Sequence, residues 1–344
     1  MKIAILVPTF SQFSGIDKVV QEQSTQFVTG GDKVTIFALE AEMSPPVKTN
    51  LYVLGMPKTI IGQRIYRLLL PLDFIKAFKW LPKLKQFDII YSHQYPMNWF
   101  AYLAKRVYGV KYVYYNHGIP PPWTFSNFEE RVYVKLFSKL ANWTIKKADS
   151  VISISQYLQK ELKRETGMES IVVLNTINTQ RFHKEINGLV VRDKLELGKV
   201  PIILYLGRIS PHKGIHLLIQ AFLIVNKEII NARLVIVGKH TFPSYSKKLK
   251  QISNNAVIFV GEVTDEDLPY YYAACDIYAT ATLWEGFDLP VSEAQYCGKP
   301  VVAFNIGPHP EILKNSETGV LVAKGDVRGM ADAIIKLVHI KYGG

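Results

Sequence analysis

The sequence is poor in cysteine and has no long hydrophobic run. Cys275 and Cys297 are its only cysteines, and both stand in apolar stretches, as is typical of packed, reduced thiols in a cytosolic protein. The apolar run at residues 3–7 is too short for a secretory signal, and no run approaches the roughly 18 residues of a membrane-spanning helix. We therefore expect a cytoplasmic protein that is soluble or peripheral on the cytosolic face of a membrane.

Two common nucleotide-binding motifs are also missing. The chain has neither the Gly-x-x-x-x-Gly-Lys-Ser/Thr loop of simple NTPases nor the Gly-x-Gly-x-x-Gly turn of dehydrogenases. It has no recognisable motif for reading RNA or DNA, no short repeat and no low-complexity tract. These absences disfavour a simple NTPase, a dehydrogenase and a nucleic-acid-binding module.

Positive charge is abundant and unevenly distributed. The net charge is +12, and residues 1–185 hold 24 Lys and Arg against 14 Asp and Glu, whereas residues 186–344 hold 17 against 15. A basic surface attracts nucleic acid, anionic lipid or a phosphorylated substrate, or it is simply a solvated face. Because the excess lies outside the half that carries the candidate site residues described below, we expect no nucleic-acid partner.

Short runs rich in Val, Ile and Tyr alternate with amphipathic segments of helical length, which is the pattern of parallel sheets built by βαβ crossovers. In the first half the pattern predicts strands at 2–8, 33–39, 87–92, 110–116, 150–154 and 171–174, and helices at 16–29, 64–81, 97–108, 128–147 and 156–166. In the second half it predicts strands at 201–206, 232–237, 256–260, 276–280, 300–304 and 319–322, and helices at 214–227, 245–254, 265–274, 289–297, 309–314 and 328–340. The polar stretch 181–199 separates the two series, and we place a domain boundary at 185/186.

Ligands of such sheets bind at the carboxyl ends of the strands, so the loops that follow strands carry the functional hypotheses. The predicted strand 201–206 leads into a loop with Arg208 and Lys213, which ends at Gly214 beside a helix N-terminus. Two cations next to a helix N-terminus favour an anion. Alone, however, such a pair is more often only solvated.

A second loop carries two carboxylates eight positions apart. Glu285 follows the predicted strand 276–280, and Pro290 suits the first turn of the next helix, which puts Glu293 on its first or second turn. The backbone of Gly286, Phe287 and Asp288 would then supply hydrogen-bond donors near the helix N-terminus. The carboxylates either hold hydroxyls on both sides of a bound phosphate or are merely a capping acid and a surface glutamate.

With several other segments these motifs form a series in a characteristic order. The series comprises Ile3 to Gly15, Gly31 to Thr35, Asn116-His117-Gly118, Ala148 to Ser155, Asn175 to Phe182, Gly207 to Gly214, Glu285 to Glu293, Cys297 to Val302 and Thr318 to Asp326. In this series the chain resembles the retaining GT-B glycosyltransferases of the family 4 or group 1 type. The resemblance implies an α/β fold of two doubly wound Rossmann-like domains facing across a cleft, with 1–185 on the acceptor side and 186–344 binding the nucleotide-sugar donor.

The resemblance also implies roles for individual residues. Arg208 and Lys213 would neutralise the donor diphosphate in place of a metal, so no metal and no cofactor beyond the nucleotide-sugar co-substrate are expected. Glu285 would bind hydroxyls of the transferred sugar and Glu293 the ribose, while His117 would contact the sugar. The remaining implied contacts are Gly15 with the diphosphate, Val263 with the base, and the amides of Gly286, Phe287, Asp288 and Leu289 with a phosphate.

Two details need separate interpretation. Asp288 stands where the family commonly has glycine. The sequence Asp265-Glu266-Asp267 matches the Asp-x-Asp metal signature of other glycosyltransferases, but Thr264 followed by Asp267 is better explained as a helix capping box.

The segment 64–81 is the best indication of the acceptor. Its charged residues Arg64, Arg67, Asp73, Lys76 and Lys79 fall at helical spacing and leave a broad aliphatic and aromatic face. Such a helix either lies in a membrane interface with its cations on anionic headgroups or packs its apolar face on the sheet; the sequence leaves both open.

We therefore expect an NDP-sugar-dependent hexosyltransferase for a saccharide or lipid-linked acceptor. It would be metal-independent and, by the resemblance, retaining. A nucleotide-sugar epimerase of the same fold, which would form product without an acceptor, and a noncatalytic sugar-nucleotide binder are the alternatives.

Overall fold

The computed structural model describes residues 1–11, 15–125, 127–240, 242–313 and 319–342. The chain forms two compact units, Met1–Asn175 and Thr176–Gly344. The division between them lies ten residues before the boundary expected from the sequence. Each unit is a doubly wound α/β domain, as the alternating pattern predicts.

The first unit has a seven-stranded sheet in the order β3-β2-β1-β4-β5-β6-β7, and every strand pair is parallel. The strands are β1 Lys2–Phe10, β2 Lys33–Ala41, β3 Thr49–Val53, β4 Ile89–Ser92, β5 Lys111–Asn116, β6 Ser150–Ser153 and β7 Ile171–Val172. The helices are α1 Gly15–Thr29, α2 Ile60–Leu69, α3 Phe74–Leu84, α4 Met97–Tyr108, α5 Phe128–Ile145 and α6 Gln156–Thr166. The strand order reverses between β1 and β4, which is where ligands of such sheets bind.

Side chains of β1 alternate between the two layers that cover the sheet. Ile5 packs in one apolar cluster with Val20 of α1, whereas Leu6 packs in another with Phe100 of α4. Because both faces of the strand are covered, its sequence is a nearly continuous apolar run rather than an alternating one. The same burial explains why β1 is predictable from the sequence.

The predicted helix 64–81 is in fact two helices. A 3₁₀ turn at Leu70–Leu72 separates α2 from α3, because Pro71 lacks a backbone N–H and its ring obstructs a continuous helix. Asp73 then begins α3, since its carboxylate accepts a hydrogen bond from the Lys76 amide at 2.9 Å. The strand β3, at the edge of the sheet beside β2, was missed because its sequence has no strong alternation.

The second unit has a six-stranded parallel sheet in the order β10-β9-β8-β11-β12-β13. The strands are β8 Ile202–Leu206, β9 Arg233–Val237, β10 Val257–Gly261, β11 Ile277–Thr280, β12 Val301–Phe304 and β13 Gly319–Val322. The helices are α7 Leu189–Lys194, α8 Ile215–Glu228, α9 Pro243–Ile252, α10 Leu268–Ala274, α11 Leu289–Tyr296, α12 His309–Ile312 and α13 Val327–Tyr342. Here the order reverses between β8 and β11.

The predicted capping box at Thr264 is wrong. Helix α10 begins only at Leu268, after Asp267, and Thr264 lies in the preceding turn, where its carbonyl accepts from the Asp267 amide at 3.2 Å. Asp265 pairs with the guanidinium of Arg181. Across the described segments, no group of three or more His, Cys, Asp and Glu side chains is arranged to hold a metal ion.

Two further expectations concern thiols and membranes. Cys275 and Cys297 are buried and unpaired. Within the described ranges, no helix combines the length and the apolar character needed to cross a bilayer.

Candidate active site

In the second unit, the loop that carries Arg208 and Lys213 and the loop that carries Glu285 meet at the topological switch point of the sheet. The loop from Gly207 to Gly214 follows β8, and the loop from Ala281 to Asp288 follows β11. These two strands are parallel neighbours, with Ile277 paired to Ile203. Their carboxyl ends therefore place both loops at the edge of the sheet where ligands of doubly wound domains bind.

Gly214 allows the two loops to touch. Its φ is +62°, and a Cβ at this position would stand 1.9 Å from the carbonyl oxygen of Ala281. The contact is continued by the Leu283 amide, which donates to the His212 carbonyl at 2.8 Å. Only glycine satisfies both the left-handed backbone and this close approach.

Lys213 and Glu285 form an ion pair between the loops. The hydroxyl of Thr282 also donates to Glu285 Oε1 at 3.3 Å. Burial raises the pKa of Glu285 above its ordinary value, while Lys213 opposes that shift. An ammonium has three N–H donors, so Lys213 can retain Glu285 and still donate to a second acceptor.

Arg208 lies at the start of the same loop and is exposed. Its guanidinium makes no ion pair within the described parts of the chain. Burial, with smaller contributions from the nearby Lys213 and Arg208, lowers the pKa of His212 to about 3. His212 is therefore neutral, and the loop offers its two permanent cations to an anion.

The turn 286–289 leads from Glu285 into α11. Asp288 is the N-cap residue of that helix and has φ +75°, a left-handed conformation that favours glycine, the residue that the resemblance leads one to expect at this position. Gly286, Phe287 and Asp288 are buried, and Leu289 is the first helical residue.

Asp288 has a partner that the sequence did not suggest. Its carboxylate lies 3.0 Å from Nε2 of His309, and both side chains are almost completely buried. His309 belongs to α12, which follows β12, the next strand of the sheet.

Glu293 lies on the second turn of α11, as predicted, but it is buried. It is only 4% exposed, and Oε2 accepts a hydrogen bond from the Tyr272 hydroxyl at 2.6 Å. The carboxylate is thus fixed in place between α11 and α10. Val263 lies in the loop after β10, is half-buried and packs against the apolar cluster that also contains Tyr272.

In the first unit, His117 stands directly after β5 beside a second histidine. His93 follows β4, and its Nδ1 lies 2.9 Å from Nε2 of His117. The other nitrogen of His93 lies 2.9 Å from Oε1 of Gln23 on α1. The ring of Tyr115 stacks on both imidazoles, with centroid distances of 5.0 Å to His93 and 5.4 Å to His117.

Gly15 is the first residue of α1. The stretch 12–14 of the loop before it lies outside the described residues, as does Thr318 of the segment 318–326. The structure therefore brings Arg208, Lys213, Glu285 and the turn 286–289 together in one unit, with His117 and Gly15 in the other.

Sequence reasoning missed Gln23, His93 and His309. His93 had a visible signal, because it follows a predicted strand at the same relative position as His117. Gln23 gave none, since a glutamine in an amphipathic helix is normally on the solvated face. His309 was hidden by the lack of any local partner in the sequence.

The two doubly wound units have the GT-B architecture. Residues 13–181 match the model of Glycosyltransferase Family 4 and residues 190–341 match that of Glycosyl transferases group 1. The two matches lie in sequence order and leave only short segments outside, and the chain belongs to the group 1/family 4 glycosyltransferases.

Individual relatives are similar over part of their length. A GDP-mannose-dependent alpha-(1-6)-phosphatidylinositol monomannoside mannosyltransferase of Mycobacterium tuberculosis is 30% identical over 172 residues, covering 47% of this chain and 45% of that protein. A lipopolysaccharide core biosynthesis mannosyltransferase of Rhizobium meliloti is 28% identical over 203 residues, covering 56% of each. The chain thus spans about half the length of these curated relatives.

Solved structures confirm the fold. Anabaena Alr3699/HepE, crystallised with UDP and glucose, has a TM-score of 0.79 at 22% identity, covering 99% of this chain and 90% of that one. Sucrose-phosphate synthase from Thermosynechococcus elongatus has a TM-score of 0.80 at 22% identity, covering 98% and 89%. The expected GT-B fold is therefore correct.

Proposed function

We propose that the protein is a metal-independent glycosyltransferase. It transfers a hexose or related sugar from a nucleotide-diphosphate sugar to a saccharide or lipid-linked acceptor, with retention at the anomeric carbon. The observation that supports this most is the arrangement after β8 and β11, where Arg208 and Lys213 present permanent positive charge next to Glu285. The names of the relatives, which include mannosyltransferases, and a similarly folded protein with UDP and glucose bound support the donor class.

The chemistry explains why the site needs these groups. Breaking the anomeric C–O bond leaves its electron pair on a phosphate oxygen, while positive charge develops on the sugar ring. The Arg208 guanidinium and the Lys213 ammonium stabilise the departing diphosphate electrostatically, which is usually the largest contribution to catalysis. They would thus perform the role that a divalent metal has in other glycosyltransferases.

The remaining residues bind and orient the donor. Glu285 accepts hydrogen bonds from sugar hydroxyls, Glu293 from the ribose, and the turn 286–289 donates to a phosphate. His117 binds a sugar hydroxyl, Gly15 lets the chain approach the diphosphate, and Val263 contacts the base. In front-face attack, the acceptor hydroxyl bonds to the anomeric carbon and gives its proton to the leaving phosphate oxygen.

A screen of thermal stability against UDP, GDP, ADP and their sugars tests this proposal. A bound ligand stabilises the folded protein by an amount that grows with the logarithm of its concentration divided by its Kd, so at equal concentrations the preferred base should give the largest rise in melting temperature. Radiolabelled transfer to lipid-linked and free saccharide acceptors then distinguishes the possible activities. Product formed without an acceptor would indicate an epimerase, and binding without turnover a noncatalytic binder.

We further propose that an anionic membrane surface is the partner through which a lipid-linked acceptor is reached. Helices α2 and α3 bury only part of their apolar surface: Trp80 and Leu84 of α3 pack in the same cluster as Phe37 of β2. Eight large apolar side chains from this short segment are at least half exposed: Ile60, Ile61, Ile65, Leu69, Leu72, Phe74, Ile75 and Phe78. Large apolar side chains exposed in this number within one short segment favour an interaction site.

The positive charge around these helices favours anionic lipid as the partner that contacts their exposed apolar side chains. Between Met43 and Phe87, Asp73 is the only acidic residue, against eight Lys and Arg. Asp73 is itself used to cap α3 and to accept from the Tyr66 hydroxyl at 2.9 Å. An apolar face with basic residues and almost no acid is the pattern of helices that lie in the interface of an anionic bilayer.

A further inference from the structure

Three polar side chains inside the first unit form a continuous hydrogen-bond chain that ends at His117. The chain runs from Gln23 Oε1 to His93 Nε2 and from His93 Nδ1 to His117 Nε2, with both distances 2.9 Å. His93 is completely buried, and the exposures of Gln23 and His117 are 9% and 7%. Groups buried to this extent are hydrogen-bonded to the protein, so the chain decides where their hydrogens lie.

The chain has a defined direction. The structure assigns Oε1 of the Gln23 amide to the side that faces Nε2 of His93. In this orientation of the amide, Nε2 of His93 carries a hydrogen, because an amide oxygen can only accept. A neutral imidazole has one N–H, and Nδ1 of His93 is therefore an acceptor. The hydrogen between the two rings must then come from Nε2 of His117, which leaves Nδ1 of His117 with a lone pair.

Both rings are neutral, as this argument requires. Burial, with a smaller contribution from His117, lowers the pKa of His93 far below its ordinary value. Burial also lowers the pKa of His117 to about 3. The stacked ring of Tyr115, inclined by 18° to His93 and by 30° to His117, holds the two imidazoles in register.

We propose that Gln23 and His93 are positioning residues that hold His117 as the neutral tautomer with its hydrogen on Nε2, so that Nδ1 accepts a hydrogen bond from a hydroxyl of the donor sugar. A lone pair at this position accepts from a hydroxyl and repels a carboxylate. The arrangement thus selects a neutral sugar over one with a carboxylate at the contacted carbon. The identity of the bound hydroxyl rests on the proposed function, but the tautomer is a property of the free protein.

Nitrogen-15 NMR of the protein labelled at histidine tests the tautomer directly, because protonated and lone-pair ring nitrogens differ widely in chemical shift. His93→Phe and His117→Phe spectra assign the two resonances. We expect His117 to have its hydrogen on Nε2 and to stay neutral from about pH 6 to about pH 8. A hydrogen on Nδ1, or protonation of His117 in that range, would overturn the proposal.

Variants of Gln23 and Tyr115 test the positioning role. Gln23→Met keeps the length of the side chain but removes the acceptor, so His117 should become a mixture of tautomers. Its kcat/KM for the donor found in the nucleotide screen should fall about fivefold to tenfold, the effect of losing one hydrogen bond. Tyr115→Phe retains the stacked ring and should leave the tautomer unchanged.

A single tautomer of His117 in Gln23→Met would also overturn the proposal. The spectra need neither donor nor turnover. If the wild-type tautomer is as expected but no nucleotide sugar binds, the proposed function has failed while the hydrogen-bond chain stands.

Discussion

His309 forms a buried ion pair with Asp288 at the turn that begins α11. Nδ1 of His309 lies 2.7 Å from the Phe304 carbonyl, and Nε2 lies 3.0 Å from Asp288 Oδ2. A carbonyl oxygen and a carboxylate both only accept, so each ring nitrogen carries a hydrogen and the imidazole is charged. Although burial disfavours the charged ring, the hydrogen bond to Asp288 raises the pKa of His309 above its ordinary value.

This ion pair predicts a pH-dependent contribution to stability. Because the pKa of His309 is higher in the folded than in the unfolded state, its contribution is fully present below the unfolded value of about 6.5 and is lost as pH rises through the folded value. We expect His309→Gln to lower the melting temperature more at about pH 6 than at about pH 9. An equal effect at both pH values would contradict the ion pair.

The same pair predicts that substitutions at its two positions are coupled. Asp288→Gly suits the local φ of +75° but leaves the His309 ring buried without its acceptor, a loss of about 3 kcal/mol. In the His309→Gln background, Asp288→Gly should cost much less, since no charge is then stranded. Urea unfolding of both single variants and the double variant measures the coupling, and additive effects would show that the two side chains act independently.

The close contact between Gly214 and the Ala281 carbonyl predicts a second effect on stability. Gly214→Ala and Gly198→Ala both place alanine at positive φ, +62° and +50°, but only at Gly214 does the new Cβ meet another atom, the Ala281 oxygen at 1.9 Å. The backbone cost of about 1 kcal/mol is common to both. We therefore expect Gly214→Ala to lose more unfolding free energy and to weaken donor binding, whereas Gly198→Ala binds the donor normally. Equal losses in the two variants would argue against the close contact.

Arg208 and Lys213 should be required for turnover but not for folding. Arg208→Ala or Lys213→Ala should lower kcat about a hundredfold, as expected for loss of a preorganised group that stabilises developing charge. Arg328→Ala is a matched control, because Arg328 is 70% exposed on α13 and pairs with Asp332 of the same helix. Melting curves check folding, and near-normal transfer by both test variants would remove the assigned roles.

Binding of the protein to liposomes should be weakened by negative charge introduced on α3. Ile75 and Phe78 are 85% and 83% exposed, and Ile230 in the second unit is 80% exposed. Flotation at low salt should recover the wild-type protein with liposomes that contain anionic lipid, and much less with neutral ones. Ile75→Glu and Phe78→Glu should abolish flotation, whereas Ile230→Glu should retain it. Failure of the wild type to float, or self-association that covers α3, would dispose of the membrane as partner.

The sequence was sufficient for the strands of both sheets except β3, and for the loops at the second switch point. Buried parallel strands such as β1 are continuous apolar runs, and the positions of Arg208, Lys213 and Glu285 after strands follow from the order of elements alone. Partnerships between distant residues were not predictable. Pairing of Asp288 with His309, or of Gln23 with His93, depends on which elements become neighbours, and local sequence does not contain that information.

Exposure was the other property that the sequence left open. The pattern in 64–81 fits a helix packed on the sheet as well as one that lies on a bilayer, because amphipathicity alone does not say what covers the apolar face. The structure adds that the segment breaks at Pro71 and that side chains such as Ile75 are exposed.

The central claim is that protein cations, and not a divalent metal, stabilise the departing diphosphate. Steady-state transfer measured with EDTA, and again after addition of manganese, tests it most directly. We expect the same turnover in both conditions. Activity abolished by EDTA and restored by manganese would contradict it.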